Sequence, residues 1–178
     1  MLGESAFLNY GKIYNFPVTI LRYQNIFGPR MGFKHVIPHL VERFYNKENP
    51  FKIYGADQTR AFCFITDASE GTVLAMESKN SNQEIFHMGS TQEIKISELV
   101  KAVGDLIPYK GKYVNGPTYP GSVSRRCPDI SKAIQKLNYV PKVSWNRGLE
   151  ETVRWYVDFY SKNETIYSGG FKPPEELK

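Results

Sequence analysis

Residues 18–30 read Val-Thr-Ile-Leu-Arg-Tyr-Gln-Asn-Ile-Phe-Gly-Pro-Arg, and they decide the fold. The first four form a short, β-branched, apolar run between loop signals, which is typical of a strand covered on both faces in a parallel sheet. Gly and Pro then predict a loop from Asn25 to Gly32. A strand of this kind needs parallel neighbours, so the chain is placed in the α/β class.

Helical and extended patterns alternate along the rest of the chain. Leu2, Ala6, Tyr10 and Ile13 recur at spacings of three and four, which predicts a helix over 2–14 with one packed face. Further helices are predicted near 35–47, 66–78, 97–106, 130–138 and 145–161, and strands near 51–54, 60–65, 84–88 and 112–114. Asp67 and Asp129 are interpreted as helix caps, and residues 163–178 as an extended or disordered tail.

Composition limits the classes of function. The 178 residues, 41% hydrophobic, can bury one core, and a net charge of +5 suits an anionic partner. Because the basic residues are scattered and form no nucleic-acid-binding motif, a nucleic-acid role is the weakest interpretation. No apolar stretch is long enough to cross a membrane and no signal-peptide pattern is present, so we expect a cytoplasmic protein. Cys63 and Cys127 have no metal or disulfide spacing and are expected to be reduced.

Five blocks of sequence carry a family resemblance. The first is Arg-x-x-Asn-x-aromatic-Gly-Pro at residues 22–29. The others are Ile-Tyr-Gly at 53–55, Gln-Thr-Arg-Ala-Phe-Cys-Phe-Ile-Thr-Asp at 58–67, Phe-His-Met-Gly at 86–89 and Pro-Asp-Ile-Ser-Lys-Ala at 128–133. In this order they resemble the NAD-dependent epimerase/dehydratase family of extended short-chain dehydrogenases, over residues 1 to about 161. Members of that family epimerise, dehydrate or decarboxylate the sugar of nucleotide sugars.

The resemblance implies only one part of the family fold. Residues 1–162 are expected to be its C-terminal part, with the last strands of a Rossmann sheet near 2–22 and 84–107 and a small α/β substrate-binding domain. The N-terminal Rossmann portion is expected to lie outside this chain. The sequence leaves open which reaction the parent protein performs, and on which base and sugar.

The family's catalytic parts are absent from the sequence. Family members use a bound NAD and a tyrosine tuned by a lysine four residues later, whereas no tyrosine here has a lysine at that position. No Gly-x-Gly pair occurs either. Residues 1–4 resemble the family's sequence directly after that lysine. We therefore expect the catalytic pair just ahead of Met1, a truncated or split reading frame, and no turnover by the chain alone.

Two arginines are the candidate ligands of a diphosphate, because the planar guanidinium group binds phosphate oxygens as a fork. Arg60 occupies the family's phosphate-binding arginine position, and its alternative is a surface ion pair. Arg126 stands two residues before Pro128-Asp129, as in the decarboxylase-like pattern, and is favoured over Arg125. Tyr119 occupies the place, ahead of Pro-Gly, where many epimerases carry their diphosphate arginine.

Other residues are candidates for contacts with the same ligand or with NAD. Lys52 and Tyr54 alternate on one strand, so both can flank a nucleobase, although Tyr54 can equally be a core residue. Asn25 is either a substrate contact or a turn asparagine. The resemblance places Tyr23 and Gln24 near the nicotinamide of NAD.

The start of the helix near 35–47 is a further candidate. The resemblance places His35 and Val36 over the nucleotide. His35 and His39 are the single metal-like pair in the sequence, but no carboxylate or cysteine lies nearby, so no metal is expected.

The sequence thus predicts the nucleotide-sugar-binding portion of an NAD-dependent enzyme. The alternative is a non-catalytic binding or assembly module that completes a Rossmann half on a separate chain. A homodimer is the other expected partner, because the helix over 2–14 resembles one through which the family dimerises. Neither a nucleic acid nor a membrane is expected as a partner.

Overall fold

The computed structural model describes residues 2–162, in which helices and strands alternate as an α/β protein. The helices are α1 (Leu2–Ile13), α2 (Val36–Tyr45), α3 (Ile65–Glu77), α4 (Ile96–Leu106), α5 (Ser131–Leu137) and α6 (Trp145–Lys162). The strands are β1 (Thr19–Tyr23), β2 (Ile26–Phe27), β3 (Phe51–Tyr54), β4 (Thr59–Ala61), β5 (Cys63–Phe64), β6 (Glu84–Met88), β7 (Glu93–Lys95), β8 (Tyr113–Gly116) and β9 (Arg125–Arg126). The tail predicted at 163–178 lies outside the described residues.

The opening strand is parallel, as its composition predicts. β1 pairs with β6 from Thr19 opposite Glu84 to Tyr23 opposite Met88. Its first four residues are only half-buried, and Tyr23 is 50% exposed. The described residues therefore cover β1 only in part, and cover on both faces stays a prediction.

The strand predicted over 60–65 is interrupted at Phe62. β4 pairs with β7 and β9, whereas β5 pairs with β2, so the two halves belong to different sheets. Asn25 bridges the break: its Nδ2 donates to the Ala61 carbonyl at 2.9 Å, and its own carbonyl accepts from the Cys63 N–H at 3.2 Å. These bonds satisfy the backbone where the strand turns, and the Phe62 side chain is buried.

The larger hydrophobic core lies under β3, which pairs in parallel with β8. Phe51 and Ile53 point inward and Lys52 outward. Phe51 is fully buried and its ring stacks on Phe44 of α2 with centroids 4.0 Å apart. Helices α2, α4 and α6 supply most of the other buried side chains of this core.

The two predicted caps have different outcomes. Asp67 does not cap α3: it lies inside the first turn, is buried, and accepts the Val143 N–H on Oδ2 at 3.0 Å. That prediction is wrong because a contact distant in sequence claims the carboxylate. Asp129 is confirmed as a capping side chain, since its Oδ1 accepts the first N–H of α5, from Ser131, at 2.9 Å.

The predicted helix near the start of the chain is confirmed as α1, but its apolar stripe is exposed. Leu2 is 95% exposed and Ile13 73%, and Ala6 and Tyr10 also face solvent. Gly11 is the residue of this helix that is buried. Within 2–162, no helix is both long and apolar enough to cross a membrane.

Candidate functional site

Two arginines lie side by side on neighbouring strands. Arg60 of β4 and Arg126 of β9 are directly paired in a parallel register. Arg125 is bound elsewhere, because its guanidinium makes a bidentate ion pair with Glu93, with contacts of 2.6 to 3.1 Å. No described residue accepts a hydrogen bond from the Arg126 side chain. The structure thus separates two adjacent arginines into one that is neutralised and one that is available to a ligand.

Arg60 is half-buried and surrounded by neutral acceptors. It donates to Gln58 Oε1 at 3.1 Å, to the Val123 carbonyl at 2.8 Å, to Ser122 Oγ at 3.4 Å, and to the carbonyls of Thr59 and Ser124. Burial, followed by the positive charge of Arg126, lowers the pKa of Arg60. Arginine still remains protonated in proteins, so two cations stand together here without a carboxylate among their described hydrogen-bond partners. This charge arrangement favours an anion.

A polar cavity of about 310 Å³ lies beside the partners of Arg60, because Gln58 and Ser122 line it and also accept from that guanidinium. It lies between the β3–β4 turn and the loop before β9. Its lining consists mainly of amide and hydroxyl side chains and backbone, from Ala56, Asp57, Gln58, Asn115, Gly116, Thr118, Ser122 and Ser124. Such a lining suits a hydroxyl-rich small molecule, and the volume lies at the lower end of the range of ligand pockets.

The outward face of β3 carries the predicted pair. Lys52 is exposed and Tyr54 half-buried, so both point away from the core. The Tyr54 ring stacks on Tyr119, with centroids 5.1 Å apart and planes inclined by 29°. The Arg43 guanidinium lies 5.8 Å from the centre of the Tyr54 ring. Tyr54 is not one of the fully buried core residues, and its contact with a nucleobase stays a prediction.

Asn25 has the backbone of a turn residue. Its φ of 45° lies in the left-handed region, which asparagine tolerates better than most residues. The amide nitrogen is already bound to the Ala61 carbonyl. This geometry fits the turn alternative, and a contact with substrate stays a prediction for this residue.

His35 and Val36 lie at the start of α2, where both are exposed. The His35 ring lies against the backbone of Gly32, where a side-chain carbon on that glycine would come within 3.2 Å of it. His35 and His39 belong to no cluster of three metal-type side chains within the described part of the chain.

Tyr23 and Gln24 lie at the carboxyl ends of β1 and β6, the edge where α/β sheets bind ligands. Tyr23 Oη lies 2.7 Å from Thr72 Oγ1, and Gln24 Nε2 lies 3.1 Å from His87 Nδ1. A side-chain carbon on Gly89 would come within 3.1 Å of both Gln24 and Pro128. The segment that follows Arg126 therefore packs against this edge of the sheet.

Several side chains of this region were not among the predicted site residues. Gln58 and Ser122 bind Arg60 and line the cavity, and Glu93 neutralises Arg125. Gln58 had a local signal, since it lies two residues before Arg60 in the family-like block at 58–67. Glu93 and Ser122 had none, because their contacts depend on strands β7 and β9 meeting β4.

Comparisons with known proteins agree with this architecture. Residues 1–89 match the profile of the NAD dependent epimerase/dehydratase family. The UDP-N-acetyl-alpha-D-glucosaminuronate decarboxylase of Bacillus cytotoxicus is 35% identical over 165 residues, which cover 87% of this chain and 50% of the decarboxylase. An epimerase structure from Methanothermobacter thermautotrophicus superposes with a TM-score of 0.83 at 26% identity, over 93% of this chain and 50% of the epimerase.

A second solved structure is the UDP-glucuronic acid 4-epimerase of Bacillus cereus in complex with UDP-glucuronic acid and NAD. It is similar with a TM-score of 0.79 and 29% identity, over 89% of this chain and 51% of that one. The chain thus spans about half the length of the relatives that it matches. Because the family profile covers half of its residues and the family fold extends over most of the remainder, the chain belongs to the NAD-dependent epimerase/dehydratase family.

Proposed function

We propose that this chain is the nucleotide-sugar-binding portion of an NAD-dependent epimerase, dehydratase or decarboxylase. The observation that carries the proposal is the register pair of Arg60 and Arg126. Like charges directly opposite on neighbouring strands destabilise a sheet, and a bound diphosphate would remove that penalty. The decarboxylase from Bacillus cytotoxicus and the epimerase bound to UDP-glucuronic acid support a nucleotide sugar as the anion.

The proposed binding site contacts three parts of the ligand. Arg60 and Arg126 hold the diphosphate as guanidinium forks. The polar cavity beside Arg60 receives hydroxyl groups of the ligand. The base lies on the outward face of β3, and the residues proposed around it and the sugar are Asn25, His35, Val36, Lys52 and Tyr54.

NAD is the cofactor that the family implies, and it supplies hydride acceptance from the sugar when bound. Tyr23 and Gln24 are the residues of this chain proposed to contact NAD, because they lie at the carboxyl edge of the β1–β6 sheet. The Gln24 N–H is already donated to the Met88 carbonyl at 2.8 Å and Nε2 lies 3.1 Å from His87 Nδ1, so the backbone and side-chain oxygens of Gln24 are the groups proposed to contact NAD. In our proposal this chain binds and orients substrate, and alone shows no turnover.

Titration calorimetry with UDP tests the binding role. We expect Arg126→Ala to weaken UDP binding by about 10- to 150-fold, because it removes a charge-assisted contact. Arg125→Ala is the matched control, since that side chain is held by Glu93, and we expect it to change the affinity by less than about three-fold. Equal losses in both variants, or a wild-type chain that binds no UDP at millimolar concentration, would contradict the proposal.

The exposed face of α1 favours a second candidate function, an assembly module. Leu2, Tyr10, Ile13 and Tyr14 are all more than half exposed, and the two tyrosine rings stack with centroids 5.5 Å apart. These side chains recur at helical spacings along one side of α1 and its end, and exposed apolar surface of this kind is typical of interaction sites. The proposed partner is a separate Rossmann half or a second copy of this chain.

Sedimentation of the purified chain tests this second function. If copies associate through α1, we expect Ile13→Asp to shift the chain to the monomer, whereas Lys12→Asp leaves association unchanged. If the partner is a separate Rossmann half, the same variant loses copurification with it. Wild-type chain that stays monomeric and copurifies with no such half would exclude the assembly function.

A further inference from the structure

His87 is a titratable side chain that the proposed binding site does not use. It is half-buried on β6, where its register partner is Arg22 of β1. Its Nδ1 atom lies 3.1 Å from Nε2 of Gln24, one of the residues proposed to contact NAD. An amide nitrogen only donates hydrogen bonds, so His87 Nδ1 is the acceptor. A histidine accepts in this way only while it is neutral and carries its proton on the other ring nitrogen.

This contact determines which group of the Gln24 side chain is presented to a ligand. Because Nε2 is directed at His87, the amide oxygen Oε1 is directed away from the ring. Among residues 2–162, none donates a hydrogen bond to Oε1. The base of the side chain is closely packed, since a side-chain carbon on Gly89 would come within 3.1 Å of Gln24 Cβ. A neutral His87 therefore leaves Gln24 with an acceptor at the carboxyl edge of the β1–β6 sheet.

Protonation of His87 reverses this arrangement. Both ring nitrogens of an imidazolium donate, so Nδ1 no longer accepts from Gln24 Nε2. The terminal torsion of glutamine is roughly two-fold, and a half-turn of the amide brings Oε1 to Nδ1 and turns Nε2 away. The acceptor that was presented is then replaced by a donor. Histidine changes its charge between about pH 5 and pH 8, so the exchange falls in the physiological range.

Charged groups of both signs face the His87 ring. Arg22 is adjacent on β1, and Glu4 of α1 binds it through two contacts of 2.7 Å. Asp129, ahead of α5, interacts electrostatically with His87, as Glu4 does. Lys132 of α5 lies over an aromatic ring of β6 on the opposite face of the strand. The protonated ring thus meets two carboxylates and one arginine, which is itself bound to the first carboxylate.

We propose that His87 is a positioning residue for the NAD contact of Gln24: when neutral it leaves Gln24 Oε1 as an acceptor for the cofactor, and when protonated it turns the amide so that Nε2 is presented instead. The inference rests on the proposed function and adds a pH dependence to the same site. His87 acts through Gln24 and does not itself touch the cofactor. The acceptor is presented above the pH at which His87 titrates and is lost as the pH falls through it.

Proton and nitrogen NMR of the full chain, without nucleotide, tests the orientation of the amide. At about pH 8 we expect His87 Nδ1 to be unprotonated, with a coupling across the hydrogen bond to Gln24 Nε2. At about pH 5 we expect this coupling to be lost, and the Gln24 side-chain amide resonances to have shifted with the same midpoint as the His87 ring. The side-chain amide of Gln135, an exposed residue of α5, is the internal reference and should show no such step.

Two variants separate His87 from other titrating groups. His87→Asn keeps an acceptor but cannot titrate, so we expect the pH step of the Gln24 amide to be lost. His39→Gln removes a histidine of α2 and should leave that step unchanged.

Three results would overturn the inference. They are a protonated Nδ1 at about pH 8, a coupling to Gln24 that persists at about pH 5, or a pH step of the Gln24 amide that survives in His87→Asn. The wild-type spectra alone decide the first two, so the test does not depend on the folding of a variant. Failure of the proposed function is distinguishable, because it would be seen in calorimetry with UDP, whereas these spectra are recorded without nucleotide.

Discussion

The region around β3 and the region around β1 differ in how completely they bury their apolar side chains. Around β3, Phe51 is fully buried and Phe44 is 2% exposed, so the aromatic side chains form a closed core. Around β1, Leu2 and Ile13 of α1 and Met76 of α3 are exposed by 73 to 95%. Buried side chains are present beside β1 as well, since Phe86 and Met88 of β6 are fully buried, but α1 and part of α3 leave apolar surface uncovered there.

Truncation of the core under β3 is the strongest test of this difference. We expect Phe51→Ala to lower the free energy of unfolding by about 3–5 kcal/mol, because it removes a buried ring stacked on Phe44 and leaves a cavity. The matched control is Met76→Ala in the exposed region, for which we expect a change within about 0.5 kcal/mol. Urea unfolding measures both, and similar losses would break the distinction between the regions.

Two glycines in α1 test the same difference between packed and exposed positions within one helix. A side-chain carbon on Gly11 would lie 2.6 Å from Val18 and 2.9 Å from the Phe16 carbonyl oxygen, whereas nothing lies within 4 Å of Gly3. We expect Gly11→Ala to destabilise the chain by about 1–3 kcal/mol through overpacking. Gly3→Ala should stabilise it by at most about 1 kcal/mol, since alanine favours helices. If thermal unfolding showed the same change in stability for both variants, α1 would have no fixed docking point at Gly11.

The smallest expected effect is a pH dependence that belongs to the β3 region. Burial in α2, followed by the charge of Arg43, lowers the pKa of His39 from 6.5. The unfolded chain then binds the proton more readily, so the contribution to stability is complete above about pH 6.5 and is lost as the pH falls through the folded pKa. We expect the urea midpoint to fall between about pH 7 and pH 5, and less so in His39→Gln. A midpoint that falls equally in both would assign the effect to other groups.

Local patterns were sufficient for much of the fold. The periodicity of α1 and the apolar composition of β1 each lie within a dozen residues of sequence, and both elements form as predicted. Strands β2, β7 and β9 were missed because they are two or three residues long and exist only through their partners. The predicted strand over 60–65 was divided by Asn25, which hydrogen bonds on both sides of Phe62.

The candidate site shows the same limit. The Arg60 position could be read from its block, and the structure adds that Arg126 is its register partner. The difference between Arg125 and Arg126 depends on Glu93, which lies 32 residues away from Arg125 and meets it only across β4. The stacking of Tyr54 on Tyr119 likewise joins strand β3 to the loop between β8 and β9, and no local pattern connects the two.

The hydrogen bonds of Arg60 fix its guanidinium before any ligand binds. In the proposed function, a phosphate that binds Arg60 meets a guanidinium that is already ordered, because it donates to the Val123 carbonyl and to Ser122 Oγ. Because little side-chain order is left to lose, we expect a smaller entropic cost of binding in calorimetry than a mobile arginine would give.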